Sequence, residues 1–336
     1  MSLLETKSLA IGYHSGQNEP KVLQKDINLS LQPGEIVSLM GQNGVGKTTF
    51  IKTITRLLPS LGGEVRLDGK NLIAISDKDL AKKVSVVLTE KPFSLNISVI
   101  ELIALGRHPY SNWLGVLSVK DKEMIEWAIN ETHINYIANK KLFELSDGQL
   151  QKVMIARALA QETDIIILDE PAAHLDLYNK IEVMLLLRAI VKTGKGILIS
   201  THDMQVSTQL SDKLWLFNFN EPVIEGNPED LILSGQLEKT LYLQDYGYDM
   251  IHGSVRLSQN CIAEIELQGE KEVVFWTEQA LSRNDFKSVS ESDIKISCKH
   301  LLWVLKTHEL EKECTSIAQL ISEVQTITNK NQSPND

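Results

Sequence analysis

Apolar and polar residues alternate along the first thirty residues of the chain. Leu9, Ile11 and Tyr13 are separated by smaller or polar residues, and the same alternation returns in residues 27–31. A period of two predicts β-strands with one buried face. The short apolar run 35–40 predicts a further strand, which leads into residues 41–48.

Strand and helix patterns alternate in the following residues and again after residue 164. The predicted elements are a helix over 47–58 that Pro59 ends, a strand over 64–68, a strand over 165–168, a helix over 181–191 and a strand over 197–200. Such alternation predicts an α/β core with a parallel sheet. Residues 91–160 carry longer helical patterns, at 99–105, 120–130 and 149–161. They predict a helical lobe inserted into this core.

The character of the chain changes after residue 235. Ala263, Ile265 and Leu267 alternate with polar residues, and the apolar run 273–276 predicts another strand. An aliphatic stripe at helical spacing follows, formed by Ile317, Leu320, Ile321 and Val324. Residues 236–325 are therefore predicted to form a small α+β domain after a first domain at 1–235. The polar residues 326–336 are predicted to be a flexible tail.

Length and charge narrow the possible functions. The chain has 336 residues, which allows two domains, and a net charge of −10. Proteins that bind nucleic acid without sequence preference need a basic surface, so we expect no nucleic-acid partner. The N-terminus lacks the features of a signal peptide, and no run approaches the ~18 apolar residues of a membrane span. We therefore expect a cytoplasmic chain that works at a membrane only through partner proteins.

Residues 41–48 contain a complete phosphate-binding loop. They read Gly-Gln-Asn-Gly-Val-Gly-Lys-Thr and lie between a predicted strand and a predicted helix, as such a loop requires. Backbone N–H groups and the helix N-terminus would surround the phosphates. Lys47 would reach the β- and γ-phosphates of a nucleoside triphosphate, and Thr48 would offer its hydroxyl to Mg²⁺.

Two carboxylates follow the predicted strand 165–168. Asp169 closes the strand, where a carboxylate can hold Mg²⁺ through water, and Glu170 is the natural general base for an attacking water. An Asp-Glu pair before a proline could also simply end a strand in a polar turn. Its position 122 residues beyond Lys47, behind four aliphatic residues, favours the catalytic interpretation.

Residues 145–149 read Leu-Ser-Asp-Gly-Gln and predict the start of a helix. Ser146 and Gln149, three residues apart, form a capping box. A capped helix N-terminus is a candidate anion site, and a plain helix cap is the simpler interpretation of the same residues.

Taken together, the phosphate loop, residues 145–149, the Asp169-Glu170 pair and His202 resemble the motif set of the ATP-binding-cassette (ABC) transporter ATPases. The resemblance covers residues 1–235. It implies a P-loop NTPase fold, with a mixed-sheet α/β core, an antiparallel β subdomain and the helical lobe at 91–160. It also implies that the chain hydrolyses ATP with Mg²⁺ and that two chains form a homodimer around two ATP molecules.

The resemblance assigns roles to individual residues. The nucleotide would be held by Gly41, Gln42, Asn43, Gly44, Val45, Gly46, Lys47, Thr48 and Thr49. Tyr13 matches an aromatic residue that stacks on adenine, and His202 matches a histidine that contacts the γ-phosphate and helps to orient the attacking water. Ser146, Gly148 and Gln149 match residues that contact the ATP of the partner subunit. Asp176 matches a loop that links the two active sites.

The chain departs from the family pattern at three positions. Asp147 replaces a glycine, and we expect its carboxylate to point away from a γ-phosphate that would repel it. Ala173 replaces a common serine. Where the family has a glutamine after a strand, Glu90 is the best match and Thr89 the alternative. Glutamine can both donate and accept hydrogen bonds, whereas an ionised glutamate can only accept them. Glu90 could still bind Mg²⁺ or water, and would then be a catalytic residue and a metal ligand.

Residues 101–110, which contain Gly106-Arg107-His108-Pro109, resemble a helical-lobe segment of importers for iron chelates, haem and vitamin B12. This implies a chain bound peripherally to the inner face of the cytoplasmic membrane. A membrane permease and an external substrate-binding protein would select the substrate. The simpler interpretation is an amphipathic helix that ends at Gly106. Two other functions stay open: an ABC ATPase without a transport role, and an interaction module that binds ATP without hydrolysing it.

Overall fold

The computed structural model describes residues 1–13, 20–89, 96–111, 115–242, 248–249, 254–255 and 261–332. The chain divides into two compact units, Met1–Tyr242 and Leu243–Asp336. The described strands are, in chain order, β1 (Leu4–Tyr13), β2 (Lys21–Ile27), β3 (Ser30–Leu31), β4 (Ile36–Gly41), β5 (Gly62–Leu67), β6 (Lys70–Asn71), β7 (Val84–Val87), β8 (Ile165–Asp169), β9 (Gly196–Ser200), β10 (Lys213–Phe217), β11 (Ile224–Gly226), β12 (Tyr248–Asp249), β13 (Ser254–Val255), β14 (Ala263–Gly269), β15 (Phe286–Val289), β16 (Lys295–Lys299), β17 (Leu302–Lys306) and β18 (Glu311–Cys314).

The described α-helices follow the same order. They are α1 (Lys47–Ile54), α2 (Asp77–Leu80), α3 (Val99–Ala104), α4 (Val119–Glu131), α5 (Asp147–Ala160), α6 (Leu177–Val191), α7 (Met204–Leu210), α8 (Pro228–Leu233), α9 (Gln236–Thr240), α10 (Lys271–Ser282) and α11 (Ile317–Gln332). Short 3₁₀ turns cover Leu72–Ala74, Leu105–Arg107, Asn135–Ile137 and Leu142–Glu144.

Two sheets form the framework of the first unit. An antiparallel sheet has the order β2-β1-β5-β6, with β3 also paired to β1. The second sheet has the order β11-β10-β4-β9-β8-β7, and all its pairings are parallel except the one between β10 and β11. The predicted combination of an α/β core with an antiparallel β subdomain is confirmed.

A single apolar cluster joins the antiparallel sheet, helix α1 and the core sheet. At its centre the ring of Phe50 meets Trp215 and Phe217 edge-on, with centroids 5.9 and 5.4 Å apart. All three rings are fully buried. Burying side chains of this size contributes about 1.5–3 kcal/mol each. Helix α1, which follows the phosphate loop, is thereby held against strand β10 of the core sheet.

Helices α3, α4 and α5 pack together as the predicted helical lobe. A buried ion-pair network fastens them: Arg107 Nε donates to Asp121 Oδ1 at 2.8 Å, and its Nη1 donates to the Ala160 carbonyl at 2.7 Å and to Glu162 Oε2 at 3.2 Å. The guanidinium also stacks on Tyr110, 4.0 Å from the ring centroid. The Gly-Arg segment of the importer resemblance therefore joins the start of α4 to the end of α5.

The first unit extends past the predicted boundary at residue 235. Leu237 on α9 is fully buried in a cluster with Met40, Leu214 and Leu231. This short helix is therefore part of the first unit, and the division falls at Tyr242.

The second unit is a mixed sheet in the order β15-β14-β16-β17-β18, with α10 and α11 on one face. The prediction of a strand at 273–276 is wrong, because these residues lie in α10. The helical period continues beyond them through Thr277, Ala280 and Leu281, which are all buried. Trp303 on β17 donates from Nε1 to Thr277 Oγ1 at 2.8 Å and fixes the helix to the sheet.

Helix α11 carries the predicted aliphatic stripe. Leu320 and Val324 are fully buried, and Ile317 and Ile321 pack against the same cluster within this unit. The helix continues to Gln332, through most of the segment predicted as a flexible tail. Ile327 and the buried Thr328 extend the apolar face by another turn, which explains the extra helical length. Among the described residues, no helix has the length and apolar character needed to cross a membrane.

Candidate functional site

Four neighbouring parallel strands end at one edge of the core sheet and carry most of the predicted site. The phosphate loop follows β4, His202 follows β9, Asp169 is the last residue of β8, and Thr89 follows β7. The carboxyl ends of parallel strands are where open α/β sheets bind their ligands. The strand order β4-β9-β8-β7 therefore brings side chains as distant in sequence as Lys47 and His202, which are 155 residues apart, to one edge.

Backbone geometry at the start of the phosphate loop requires glycine. Gly41 has φ 146°, and a Cβ there would lie 2.3 Å from the carbonyl oxygen of Phe217. The loop closes over the side chain of Lys47, whose Nζ donates to the carbonyls of Gly41 and Gln42 at 2.7 and 3.0 Å. Val45 anchors the loop and is 1% exposed. Burial lowers the pKa of Lys47, and the nearby negative charges of Glu170 and Asp169 oppose that shift.

An open pocket of about 650 Å³ adjoins the phosphate loop. Its volume lies in the range of ~300–1,000 Å³ that is usual for small-molecule sites. The lining residues are Tyr13, Lys21, Leu23, Asn43, Gly44, Gly46, Lys47, Thr48, Thr49, Thr89, Asp169, Glu170, Ser200 and His202. An aromatic side chain, a phosphate loop and two carboxylates thus face one cavity, as a nucleoside triphosphate would require.

Glu170 is held in a left-handed backbone conformation, with φ 50°. Such conformations are uncommon outside glycine and cluster at functional sites. The N–H of Glu170 donates to the Ser200 carbonyl at 2.8 Å, which ties the residue to the end of β9. Its Oε1 lies 2.8 Å from Nδ1 of His202. Because an ionised carboxylate can only accept, Nδ1 carries the proton, and Oε2 of Glu170 remains available as a proton acceptor.

The residues present fit a magnesium ion. The Thr48 hydroxyl and the Asp169 carboxylate line the same pocket. No cluster of three or more His, Cys, Asp or Glu side chains suited to a metal occurs in the described ranges. Mg²⁺ does not need one, since it usually takes one or two protein ligands and fills its other positions with phosphate oxygens and water.

The predicted capping box at Ser146 is confirmed. Ser146 N donates to Gln149 Oε1 at 3.1 Å, and Gln149 N donates to Ser146 Oγ at 3.3 Å. The start of α6 lies beside this cap, because a Cβ on Gly148 would be 2.2 Å from Oδ1 of Asn179. Asp176 caps α6 by accepting from the Asn179 N–H at 2.8 Å.

The predicted site residues thus fall into two groups. Most of them line the pocket beside the phosphate loop. Gly41 and Gln42 belong to the same group, because their carbonyls accept hydrogen bonds from Lys47. Ser146, Gly148, Gln149 and Asp176 do not line that pocket and lie together at the N-terminal ends of α5 and α6. Asp147 lines a smaller cavity of about 140 Å³, to which Thr89 and Glu170 also contribute.

Of the two candidates for the glutamine position, Glu90 lies outside the described residues. Thr89 lines the nucleotide pocket, and its Oγ1 donates to the backbone carbonyl of Asp169 at 2.9 Å.

Lys21, Leu23 and Ser200 also line the pocket, although they belong to none of the sequence motifs. Lys21 is paired directly with Tyr13 across β1 and β2, so its proximity depends on strand register. The only sequence signal for these residues was the alternation along β2, which places positions 21 and 23 on the same face of the strand. Nothing local to those residues indicates a nucleotide.

Comparisons with known proteins agree with this arrangement. The profile of the family described as "ABC transporter" matches residues 24–173, and the profile described as "Iron ABC transporter C-terminal domain" matches residues 262–325. The chain is 37% identical over 262 residues to an uncharacterised ABC transporter ATP-binding protein of Methanocaldococcus jannaschii, covering 77% of this chain and 88% of the relative. It is 34% identical to the iron(3+)-hydroxamate import ATP-binding protein FhuC of Bacillus subtilis, covering 72% and 89%.

Solved structures show the same fold. The dimeric cassette MJ0796, from a bacterial ABC transporter, matches with a TM-score of 0.58 and 27% identity, over 67% of this chain and 98% of the cassette. A metal-chelate type ABC transporter in an inward-facing conformation matches with a TM-score of 0.62, over 71% of this chain and 89% of that one. At 23% identity, the second match supports the fold alone.

Proposed function

The chain belongs to the ABC transporter ATP-binding proteins and is an ATPase of that family, and we propose that it energises the import of an iron chelate through a separate membrane permease. The observation that carries its ATP-hydrolysing part is the 2.8 Å contact between Glu170 and His202, in a pocket shared with Lys47 and the phosphate loop. A pocket that only bound ATP would need the loop and the lysine but no positioned base.

The chemistry follows from this arrangement. Glu170 Oε2 takes a proton from water as the water oxygen attacks the γ-phosphorus, and the bond from that phosphorus to the β–γ bridging oxygen breaks to release ADP and phosphate. His202 orients Glu170 through Nδ1. Lys47 and the loop N–H groups stabilise negative charge on the phosphates. Mg²⁺, when held by Thr48 and Asp169, would neutralise part of that charge.

Iron chelates are favoured over other cargo by two kinds of support. Curated relatives at 33–34% identity are named as siderophore, iron-hydroxamate or achromobactin transport ATP-binding proteins. The second unit matches a C-terminal domain described for iron ABC transporters. The cassette itself would not bind the chelate, because a permease and an external binding protein would select it. Haem and cobalamin are the other cargo classes implied by residues 101–110.

The group at the start of α5 supports a homodimer in the ATP-bound state. Ser146, Gly148 and Gln149 form a capped helix N-terminus that does not line the chain's own phosphate pocket. Such a terminus favours an anion, and the γ-phosphate bound by a second copy would supply one. We place this dimer at the inner face of the cytoplasmic membrane, in contact with the permease.

Uptake in the native host tests the proposal. Cells lacking the gene would be given the wild-type chain, Lys47→Ala, or Lys25→Ala as a control outside the pocket, and supplied with ⁵⁵Fe-hydroxamate, haem or ⁵⁷Co-cobalamin. We expect wild type and Lys25→Ala to restore iron uptake, and Lys47→Ala to fail. Unchanged uptake of all three cargoes without the gene, while the purified chain hydrolyses ATP, would favour a role outside transport.

A further inference from the structure

The Lys21 ammonium lies over the Tyr13 ring, the ring on which adenine is expected to stack. The residue pairs with Tyr13 across strands β1 and β2, and both side chains line the nucleotide pocket. Its Nζ lies 5.8 Å from the centroid of the Tyr13 ring. Tyr13 is 43% exposed, so its ring is accessible to a ligand. The lysine and an adenine base would therefore compete for the tyrosine.

The contact that holds Lys21 is weak. A cation over an exposed aromatic ring contributes about 0.5–1 kcal/mol. Within the described ranges, no carboxylate forms an ion pair with Lys21. Its ammonium sits on a flexible four-carbon stem and can move without backbone change. A base that stacks on Tyr13 can thus displace it at small cost.

The bound nucleotide would provide the displaced ammonium with a partner. Lys47, the other lysine of the pocket, is buried, and its hydrogen bonds to the Gly41 and Gln42 carbonyls keep its ammonium at the phosphate loop. Asp169 and Glu170 bring two carboxylates to the same pocket, and Mg²⁺ held by Asp169 would offset only part of their repulsion of a polyphosphate. A second, mobile cation would offset that repulsion.

We propose that Lys21 is a second phosphate-binding lysine, which leaves the Tyr13 ring when adenine stacks there and moves onto the polyphosphate. The exchange rests on the proposed ATP site and adds selectivity to it. A nucleoside would displace the Lys21 ammonium from the Tyr13 ring without offering it an anion. A nucleotide would displace it in the same way, but its phosphates would then bind the ammonium. Lys21 therefore favours nucleoside polyphosphates over nucleosides that carry the same base.

Calorimetric titration of the full chain tests this with two probes, the slowly hydrolysed ATP analogue adenylyl-imidodiphosphate with Mg²⁺, and adenosine. Lys21→Met should weaken the triphosphate about fivefold, since an exposed charge contact is screened by water. The same variant should bind adenosine as well as wild type or better, and its triphosphate affinity should depend less on salt. Lys25→Met, an exposed lysine on the same strand outside the pocket, should match wild type for both probes.

Equal triphosphate affinity of Lys21→Met and wild type would overturn the inference and leave the ATP site intact. An equal loss for both probes would also overturn it, because Lys21 would then only support the Tyr13 ring. Absence of triphosphate binding by the wild-type chain would instead refute the proposed ATP site, and the inference would fall with it.

Discussion

Arg107→Met removes the most deeply buried ion-pair network of the described helical lobe. The Arg107 side chain is 1% exposed and that of Asp121 5%. Removing one partner of a buried pair costs about 3–5 kcal/mol, because the other charge is left without compensation. Asp121 Oδ2 keeps the Ser118 N–H and hydroxyl at 2.9 and 2.6 Å. We therefore expect Arg107→Met to lower the free energy of unfolding by an amount at the lower end of this range, about 3 kcal/mol.

The free energy of unfolding that Arg107→Met removes should depend on pH in a defined direction. Burial raises the pKa of Asp121, but hydrogen bonds from Ser118 and Arg107 outweigh it, so the net shift is downward. A carboxyl whose folded-state pKa is lowered stabilises the fold above its unfolded value, about 3.9, and loses that contribution as the pH falls through the folded pKa. The difference between wild type and Arg107→Met should accordingly narrow in acid below about pH 4.

Hydrogen exchange read by mass spectrometry measures this cost where it arises. A loss of 3 kcal/mol corresponds to about 150-fold faster exchange of the protected amides in α4 and α5. Arg188→Met is the matched control: Arg188 pairs with Asp212 at the same 2.8 Å, but both side chains are more than a third exposed. It should cost less than about 1 kcal/mol. Exchange in α4 and α5 within threefold of wild type at neutral pH would show that the Arg107 network contributes little to the stability of the lobe.

Three further perturbations separate the parts of the molecule. Ser146→Arg should lower ATP hydrolysis far more than ATP affinity, because Ser146 is expected to serve the nucleotide of the partner; equal losses in phosphate release and calorimetric binding would contradict a site in trans. Truncation after Tyr242 should leave a folded, ATP-hydrolysing unit, because the buried clusters of the two units share no residue; a soluble, folded truncation unable to bind ATP would count against this separation. Chelation of Mg²⁺ by EDTA should abolish hydrolysis, since Thr48 and Asp169 face the phosphate pocket; turnover that persisted at the untreated rate would remove the metal from the mechanism.

Sequence patterns predicted those elements whose signal is contained in a short stretch of the chain. Strands β4, β8 and β9 are apolar runs bounded by motifs, and the capping box of α5 is complete within four residues. The run 273–276 misled because four apolar residues fit a strand as well as one turn of a helix. Only the longer window that includes Thr277 and Leu281 reveals the helical period.

The site was predictable wherever its chemistry lies in contiguous sequence. The phosphate loop and the Asp169-Glu170 pair are continuous motifs, and the structure places both in one pocket. Lys21 reaches the pocket through strand pairing, which a single sequence does not reveal. For the second unit we propose a regulatory or dimer-stabilising role, because the ATPase motif set is complete in the first unit. The aliphatic stripe of α11 is buried within the second unit itself.

The catalytic role of Glu170 in an ATP-bound dimer can be tested by phosphate release and size-exclusion chromatography. Both measurements compare the wild-type chain with Glu170→Gln, each with ATP and Mg²⁺. The amide keeps the size of the side chain but cannot accept the proton of the attacking water. Loss of a general base lowers turnover by about 10²–10⁴-fold, and ATP binding should persist, because Lys47 and the loop amides are unchanged. We expect a variant that releases almost no phosphate and elutes as an ATP-bound dimer. Phosphate release at the wild-type rate would remove Glu170 from catalysis, and a persistent monomer would contradict the dimer.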